Sequence, residues 1–313
     1  MVGFDVSAYL RRLGLSDPGP PSVATLHALH AAQVERIAYE ALDIQLGRLT
    51  SIDPYDSAAR ITAGRGGYCY HLNGAFALLL GALGYEVTWH RAGVQGRQAA
   101  EPPGPAPANH LALTVRGLPA EDCPSGVWLV DAGLGDGLHE PLPLSEGEYV
   151  QGPFRFRLRR SAAAPGGWRL DHDDRGAFTG MDFGMRPAVV GEFLDRHRYL
   201  STSPDSGYVR TCTVMRRDAG GADVLTGCVL RRVGVGAGRR EVLETRTEWY
   251  AVLADLFGLT LTDLDDADRE TLWARVRGAH EAWSAGREAS GAPEGEDSGP
   301  RRATDAVSGQ DLA

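Results

Sequence analysis

Apolar residues recur at two different spacings along this chain, and the spacing changes near residue 85. Over residues 23–38, "VATLHALHAAQVERIA", Leu26, Leu29, Val34 and Ile37 fall on one face of a 3.6-residue period, which predicts a helix. His27 and His30 ride on it with no third ligand in view and are expected at its surface or at the core edge. "IDPYDSAARIT" predicts a short capped helix with Pro54 in its first turn. Residues 64–83, "GRGGYCYHLNGAFALLLGAL", pass from a glycine-crowded turn into an apolar stripe of Cys69, Leu72, Ala75, Phe76, Leu79, Leu80 and Leu83, which Gly84 is placed to end.

From Tyr85 to about Arg160 the period becomes two. "YEVTWHRAGV", "HLALTVRG", "GVWLVDAG" and "FRFRLRR" alternate between Gly- and Pro-rich breaks, which predicts a small barrel or a strongly bent sheet. "QGRQAAEPPGPAPAN" predicts a surface loop. Three further strand-like pieces, "YVRTCTVMRR", "DVLTGCVLRRV" and "REVLETRT", precede two helices, "EWYAVLADLFG" and "DDADRETLWARVRGAHEAW". From about Gly286 the chain is poor in apolar residues and predicts a disordered tail.

The 313 residues suffice for a large core and suggest two or three domains. The net charge is −9 and every basic residue is Arg, with no concentrated basic stripe, so nucleic acid is a poor partner. Any bound phosphate must be met by Arg forks, backbone N–H groups or helix N-termini. No apolar run approaches ~18 residues, so no membrane-spanning helix is expected. "MVGFDVSAYLRRLG" lacks the pattern of a secretory signal, and the default expectation is cytoplasmic.

Of the four cysteines, none forms a C-x-x-C pair, which argues against zinc and thioredoxin-like chemistry; no metal is expected. Cys212 and Cys228 sit in strand-like runs as small apolar residues, and Cys123 lies in a loop. Cys69 differs. It opens a helix, where unsatisfied N–H groups and the dipole favour a negative charge, as a nucleophilic thiolate requires. The glycines at 64, 66 and 67 permit a tight turn and leave the sulfur approachable. Without the Lys and Ser/Thr of a P-loop, the turn is not a nucleotide cradle of that kind.

Such a thiolate needs a base, itself oriented by a third group. His71 is two residues along the same helix and faces elsewhere. His110, on a strand face with Ala112 and Thr114, has room to reach the sulfur, while His90 and His139 remain rivals. Asp131 shares a buried-looking face with Val127 and Leu129, where a carboxylate needs a partner such as an imidazolium. Asp136 sits in the following turn, where Asp beside Gly serves backbone geometry.

"RGGYCYHLN" followed by "NHLALTV" and "WLVDAGLGDG" resembles the arylamine N-acetyltransferase family, in the order Cys, His, Asp. "RIAYEALDIQLG" resembles the family's Phe-Glu-Asn-Leu segment, and "RHRYLSTSPDSGYV" its approach to the third domain. The likeness spans roughly residues 5–280. It implies an α+β enzyme of three domains around a papain-like cysteine core. These would be a helical domain over 1–85 carrying the nucleophile, a β-barrel over 86–200 carrying His and Asp, and an α/β lid over 201–285, ahead of the 286–313 tail. Cys69 then matches the acyl-accepting nucleophile, His110 its ion-pair partner and Asp131 the carboxylate holding that ring. Arg65 and Glu40 match supporting charges, and Tyr39 and Leu134 fall where family aromatics line the acceptor pocket. Three positions depart from the family pattern: Ala41 replaces Asn, His71 replaces an acidic residue, and Leu134 replaces Phe.

The implied reaction is ping-pong acyl transfer from acetyl-CoA, or another acyl-CoA, through a cysteinyl thioester to an arylamine or hydrazine. A rival within the family is an amide synthase that takes its acyl chain from an acyl carrier protein or releases a macrolactam, and Ala41 and Leu134 keep it open. A cysteine hydrolase also uses Cys, His and an orienting polar group, but the papain-type C-G-[SA]-C-[WY] run is absent. A binding scaffold with an incidental Cys69 is the remaining alternative.

Overall fold

The computed structural model describes residues 4–238 and 240–290. The first 85 residues supply α1 (Val6–Arg12), α2 (Val23–Arg36), strand β1 (Tyr39–Glu40), α3 (Leu42–Gln45), α4 (Pro54–Thr62) and α5 (Cys69–Ala82). Side-chain caps set their starts: Ser22 accepts from Thr25 N–H for α2, and Asp53 accepts from Tyr55 N–H ahead of Pro54 for α4. The apolar stripe predicted for α5 understates its burial. Tyr70, His71, Asn73, Gly74 and Ala77 are buried as well, so the helix is the hub of the core and not an amphipathic cover. Fully burying each of its Leu and Phe side chains contributes roughly 1.5–3 kcal/mol.

An antiparallel eight-stranded sheet follows, built from β2 (Glu86–Gly96), β3 (His110–Arg116), β4 (Trp128–Val130), β5 (Leu142–Pro143), β6 (Gly147–Gln151), β7 (Phe154–Arg160), β8 (Trp168–Asp171) and β9 (Phe178–Pro187). Its order is β5-β4-β3-β2-β9-β8-β7-β6, and it curls into a nearly closed barrel. Two register shifts between β2 and β9, at His90/Ala92 and Gln95/Gly96, bend it. Four of these strands, β5, β6, β8 and β9, were not among those predicted from the alternation.

A 3₁₀ turn (Val190–Phe193), α6 (Leu194–Thr202) and α7 (Gly207–Arg210) lead to a five-stranded sheet. It contains β10 (Thr213–Asp218), β11 (Gly221–Thr226), β12 (Val229–Gly234) and β13 (Arg240–Val242), backed by α8 (Arg246–Asp255) and α9 (Asp266–Ser290). Two predictions are corrected here. "YVRTCTVMRR" begins as helix, because Ser206 caps α7 by accepting from Tyr208 N–H. "DVLTGCVLRRV" is a hairpin and not one strand: Thr226 pairs with Val229 across a two-residue turn whose first residue, Gly227, has φ +57. Helix α9 also runs to Ser290, past the predicted tail start at Gly286; the rest of that tail lies outside the described residues.

The order of this sheet is β1-β10-β11-β12-β13. Its edge strand therefore comes from the N-terminal segment, with Tyr39 opposite Met215 and Glu40 opposite Val214. Ala38 and Leu42, flanking β1, join a second apolar core with Val214, Leu225, Trp249 and Leu253. No helix among the described residues is long and apolar enough to cross a membrane.

Candidate active site

Cys69 is the first residue of α5 and only 2% exposed. The preceding Tyr68 is extended and gives no side-chain cap, so the amides of the first turn are left for another acceptor. The glycines before it serve close approach more than access to sulfur. A Cβ on Gly66 would stand 2.1 Å from the Ala38 carbonyl oxygen, and one on Gly67 would stand 2.5 Å from His71 Cβ. The turn can thus lie against β1, where Glu40 N–H donates to the Gly67 carbonyl at 2.9 Å.

A buried ion cluster underlies this turn. Arg60 donates to Glu40 at 2.6 Å and to Asp43 at 2.5 Å, Arg65 donates to Asp43 at 2.9 Å and to Asp263 at 2.6 Å, and Arg60 Nε donates to the Gly66 carbonyl at 2.7 Å. Burial opposes charge on Glu40, but the two guanidiniums outweigh it and hold its carboxyl down at about 2. His71, where the family pattern has an acid, is hydrogen-bonded to Thr50 Oγ1 at 2.9 Å. Burial, reinforced by Arg60 and His197, lowers its pKa to about 3, so it stays neutral beside the cluster.

Strand β3 begins at His110 and β4 ends one residue before Asp131, and the strands pair (Leu113 opposite Val130), which brings the ring to the carboxylate. His110 Nε2 and Asp131 Oδ2 are 2.7 Å apart, both residues buried. The other ring nitrogen is left for Cys69, which lines the same cavity; the Cys69 thiol itself donates to the Asn109 carbonyl at 3.7 Å. Burial disfavours a charged ring, but the Asp131 charge and hydrogen bond, with Cys69, raise the His110 pKa to about 10. The ring is an imidazolium at neutral pH.

Three supports of this pair were not predicted from sequence. Asn73, one turn beyond Cys69 on α5, donates to Asp131 Oδ1 at 2.8 Å and to the Leu111 carbonyl at 2.6 Å, and accepts from Ala132 N–H at 2.9 Å. His30 is fully buried and not at the core edge as expected. Its Nδ1 donates to the His139 carbonyl (2.9 Å) and its Nε2 accepts from Asp131 N–H (3.2 Å). Burial lowers its pKa to about 4, consistent with the neutral ring this bonding requires. Ahead of His110, Ala108 takes a left-handed φ of +47, its carbonyl held by Tyr70 Oη at 2.6 Å. Only an Asn interrupting an otherwise apolar helix face could have pointed to Asn73.

Gly133 explains how the Asp131 loop comes so near. A Cβ there would lie 2.8 Å from Cys69 Cα and 2.9 Å from Asn73 Nδ2.

Cys69 and His110 open on a cavity that Tyr39, Val94, Asn109, Gly133, Leu134, Phe178, Leu200 and Tyr208 complete. Tyr39 and Leu134 are therefore beside the sulfur, and Tyr208 and Leu200, from α7 and α6, form a further wall. The free space is about 20 Å³, the scale of a single water. Tyr39 Oη and Tyr208 Oη are 2.5 Å apart, and Gln45 Nε2 donates to the Tyr208 carbonyl. Burial first, then the neighbouring phenol and sulfur, pushes Tyr39 well above the usual phenol range, so its proton is retained.

The rival histidines are spent elsewhere. His90 Nε2 pairs with Thr114 Oγ1 at 2.8 Å, and His139 Nε2 with Glu35 at 2.7 Å. Asp136 accepts from Ala177 N–H at 2.7 Å, in keeping with a backbone role. All four cysteines are free thiols; Cys212 and Cys228 belong to the second core, where burial raises the Cys228 pKa to about 11. Among the described residues no group of three or more His, Cys, Asp or Glu is arranged to hold a metal ion.

A buried Cys and His drawn together between a helix start and a curled antiparallel sheet, with a third module packed against them, is the architecture of a papain-like thiol enzyme. A sequence profile of the N-acetyltransferase family matches residues 22–266. The chain is 30% identical to an arylamine N-acetyltransferase of Mycolicibacterium smegmatis over 290 residues, covering 88% of this chain and 99% of that one. It is also similar to the proansamycin X synthase of Amycolatopsis mediterranei, at 33% identity over 205 residues, 63% of this chain and 70% of that one. Among solved structures, the Mycobacterium marinum arylamine N-acetyltransferase in complex with CoA superposes with a TM-score of 0.75 at 25% identity, covering 88% of this chain and 99% of that one. The chain belongs to the arylamine N-acetyltransferase family and is an acyltransferase of that kind.

Proposed function

We propose that this protein moves an acetyl or other short acyl group from acyl-CoA to an arylamine or hydrazine, with Cys69 as nucleophile, His110 as proton carrier and Asp131 as the carboxylate that orients it. The observation that carries this reading is the His110 ring, bonded to Asp131 and lining one cavity together with Cys69. The Cys69 thiolate adds to the thioester carbonyl. The tetrahedral oxyanion collapses, the CoA thiolate leaves and takes the His110 proton, and an acyl–Cys69 thioester remains. The amine nitrogen then adds to that thioester, His110 accepts its proton, and Cys69 departs as thiolate. Aromatic amines suit the second step because they are unprotonated near neutrality. The uncapped amides of the first turn of α5 are suited to the oxyanion. Arg65 and Glu40 hold the turn through their ion cluster, and Tyr39 and Leu134 bound the acceptor space. With about 20 Å³ free, acceptor entry requires part of the cavity lining to give way.

The likeness to the CoA-bound enzyme supports acyl-CoA as donor. The likeness to proansamycin X synthase supports a second reading, an amide synthase taking its acyl chain from a carrier protein. Intact-protein mass spectrometry after mixing with acyl-CoAs or with an acylated carrier protein separates the two. An acetyl adduct from acetyl-CoA on wild type and none on Cys69→Ser is the expected result. Acylation only from the carrier protein selects the second reading, and a Cys69→Ser protein that still acylates removes both.

A further inference from the structure

Helix α6 forms one wall of the cavity through Leu200. Arg196 precedes Leu200 by four residues, so the two side chains lie on one face of that helix, one turn apart. Arg196 is half-buried, and its guanidinium carbon sits 4.6 Å from the centre of the Tyr199 ring. A cation–π contact of this kind restrains a guanidinium without using up its N–H donors. Among the described residues that fork has neither an ion pair nor a hydrogen bond, and Nε is buried without a partner. Arg60, Arg65 and Arg169, buried to comparable or greater degree, all meet carboxylates. Glu192, the acid in the turn before α6, is already engaged by Arg186 and Arg91. The charge of Arg196 also reaches the site, since it opposes the burial-driven rise in the pKa of both Tyr70 and Tyr208.

A guanidinium half out of water, set over a ring, without a counter-ion among the described residues and one helical turn from a cavity wall, is arranged for a planar or tetrahedral oxyanion. We propose that Arg196, one turn along α6 from the cavity-lining Leu200, binds an anionic group on the substrate, remote from the reacting atom. This rests on the transferase reading above. The anion has two possible sources, a phosphate of the acyl-CoA donor or a carboxylate on the arylamine, and each half-reaction of a ping-pong enzyme reports on one of them.

The test compares wild type, Arg196→Gln and Arg196→Lys. Donors are acetyl-CoA and the phosphate-free thioester S-acetyl-N-acetylcysteamine; acceptors are 4-aminobenzoate and its methyl ester. Charge-assisted hydrogen bonds are lost in Arg196→Gln, so kcat/KM should fall by roughly ten- to hundred-fold with the anionic member of one pair, with little change for its neutral counterpart. Arg196→Lys, keeping charge without the fork, should fall between. A drop confined to acetyl-CoA identifies the phosphate, and one confined to 4-aminobenzoate the carboxylate. Equal effects on charged and neutral members of both pairs, or none, overturn the proposal. Calorimetric binding of CoA and of 4-aminobenzoate reads the same contrast without turnover. A wild type that transfers nothing but binds either anion more tightly than Arg196→Gln overturns the transferase reading alone, whereas equal binding by both proteins overturns the role of Arg196.

Discussion

Asn73 Nδ2 stands 2.8 Å from Asp131 Oδ1, so the carboxylate that faces His110 is gripped from its other oxygen by the same helix that starts with Cys69. Gly133 N–H donates to that same oxygen at 3.0 Å. Cys69 and Asp131 are thereby referred to one rigid element. Asn73→Ala strips partners from the Leu111 carbonyl, Ala132 N–H and Asp131 together, and should cost about 2–3 kcal/mol in thermal unfolding. Asn73→Asp places a second carboxylate against Asp131 and should lower the Cys69 acylation rate more than Asn73→Ala does. Stopped-flow thiol release checks the order.

The Asp131–Cys69 environment sets a pH window. With the His110 pKa raised from 6.5 to about 10, the ring charge persists through neutral and mildly alkaline solution. Its contribution to stability is complete below 6.5 and is lost as pH climbs through about 10. Acylation should hold level near neutrality and decline on approach to pH 10; in Asp131→Asn the decline should move toward neutral. Rates of adduct formation against pH measure both.

Glu40 carries the opposite dependence. Its carboxyl is depressed from 4.5 to about 2, so the cluster's stabilisation is present above pH 4.5 and disappears as pH falls toward 2. Glu40→Gln leaves Arg60 and Arg65 short of a buried counter-charge and should cost about 3–5 kcal/mol. Denaturant titrations at neutral and acid pH should show the gap between wild type and variant narrowing with acid.

Gly133→Ala tests the close approach. A methyl group 2.8 Å from Cys69 Cα must push the Asp131 loop outward. A displacement on the order of 1 Å at such a site lowers rate about 10²-fold, which single-turnover acylation would register while circular dichroism stays near that of wild type.

Tyr208 narrows the cavity. Tyr208→Ala removes a wall residue and, among the described residues, the hydroxyl partner of Tyr39. The ratio of kcat/KM for a bulky arylamine over aniline should rise several-fold, and an unchanged ratio would place acceptor entry elsewhere.

Much of this was legible from periodicity because burial sets the spacing of apolar residues. The start of α5 at Cys69 and the strand beginning at His110 follow directly from the pattern. What escaped depends on contacts between distant segments. His30 looked like an edge residue, because nothing in a helix repeat reveals that an Asp131 amide will arrive at its ring. Tyr208 sat in an apparent strand, since the capping by Ser206 that turns it into a helix is a local hydrogen bond hidden under β-branched neighbours. Strand β9 failed to alternate in part because Gly180 replaces a side chain where Arg169 and the Leu170 carbonyl crowd the sheet. Of the turn glycines, Gly64 at φ +92 serves the tight turn that was read, whereas at Gly66 and Gly67 neighbouring atoms, more than an incoming substrate, occupy the space.

The pairing of Tyr39 and Glu40 with Met215 and Val214 has a consequence for biosynthesis. A ribosome exposes β1 and the Cys69 turn long before it makes the partner strand, so the nascent chain carries an unsealed edge through most of translation. Fragments ending before Thr213 would be sticky intermediates rather than partial enzymes, and chaperone dependence should end once the last sheet emerges.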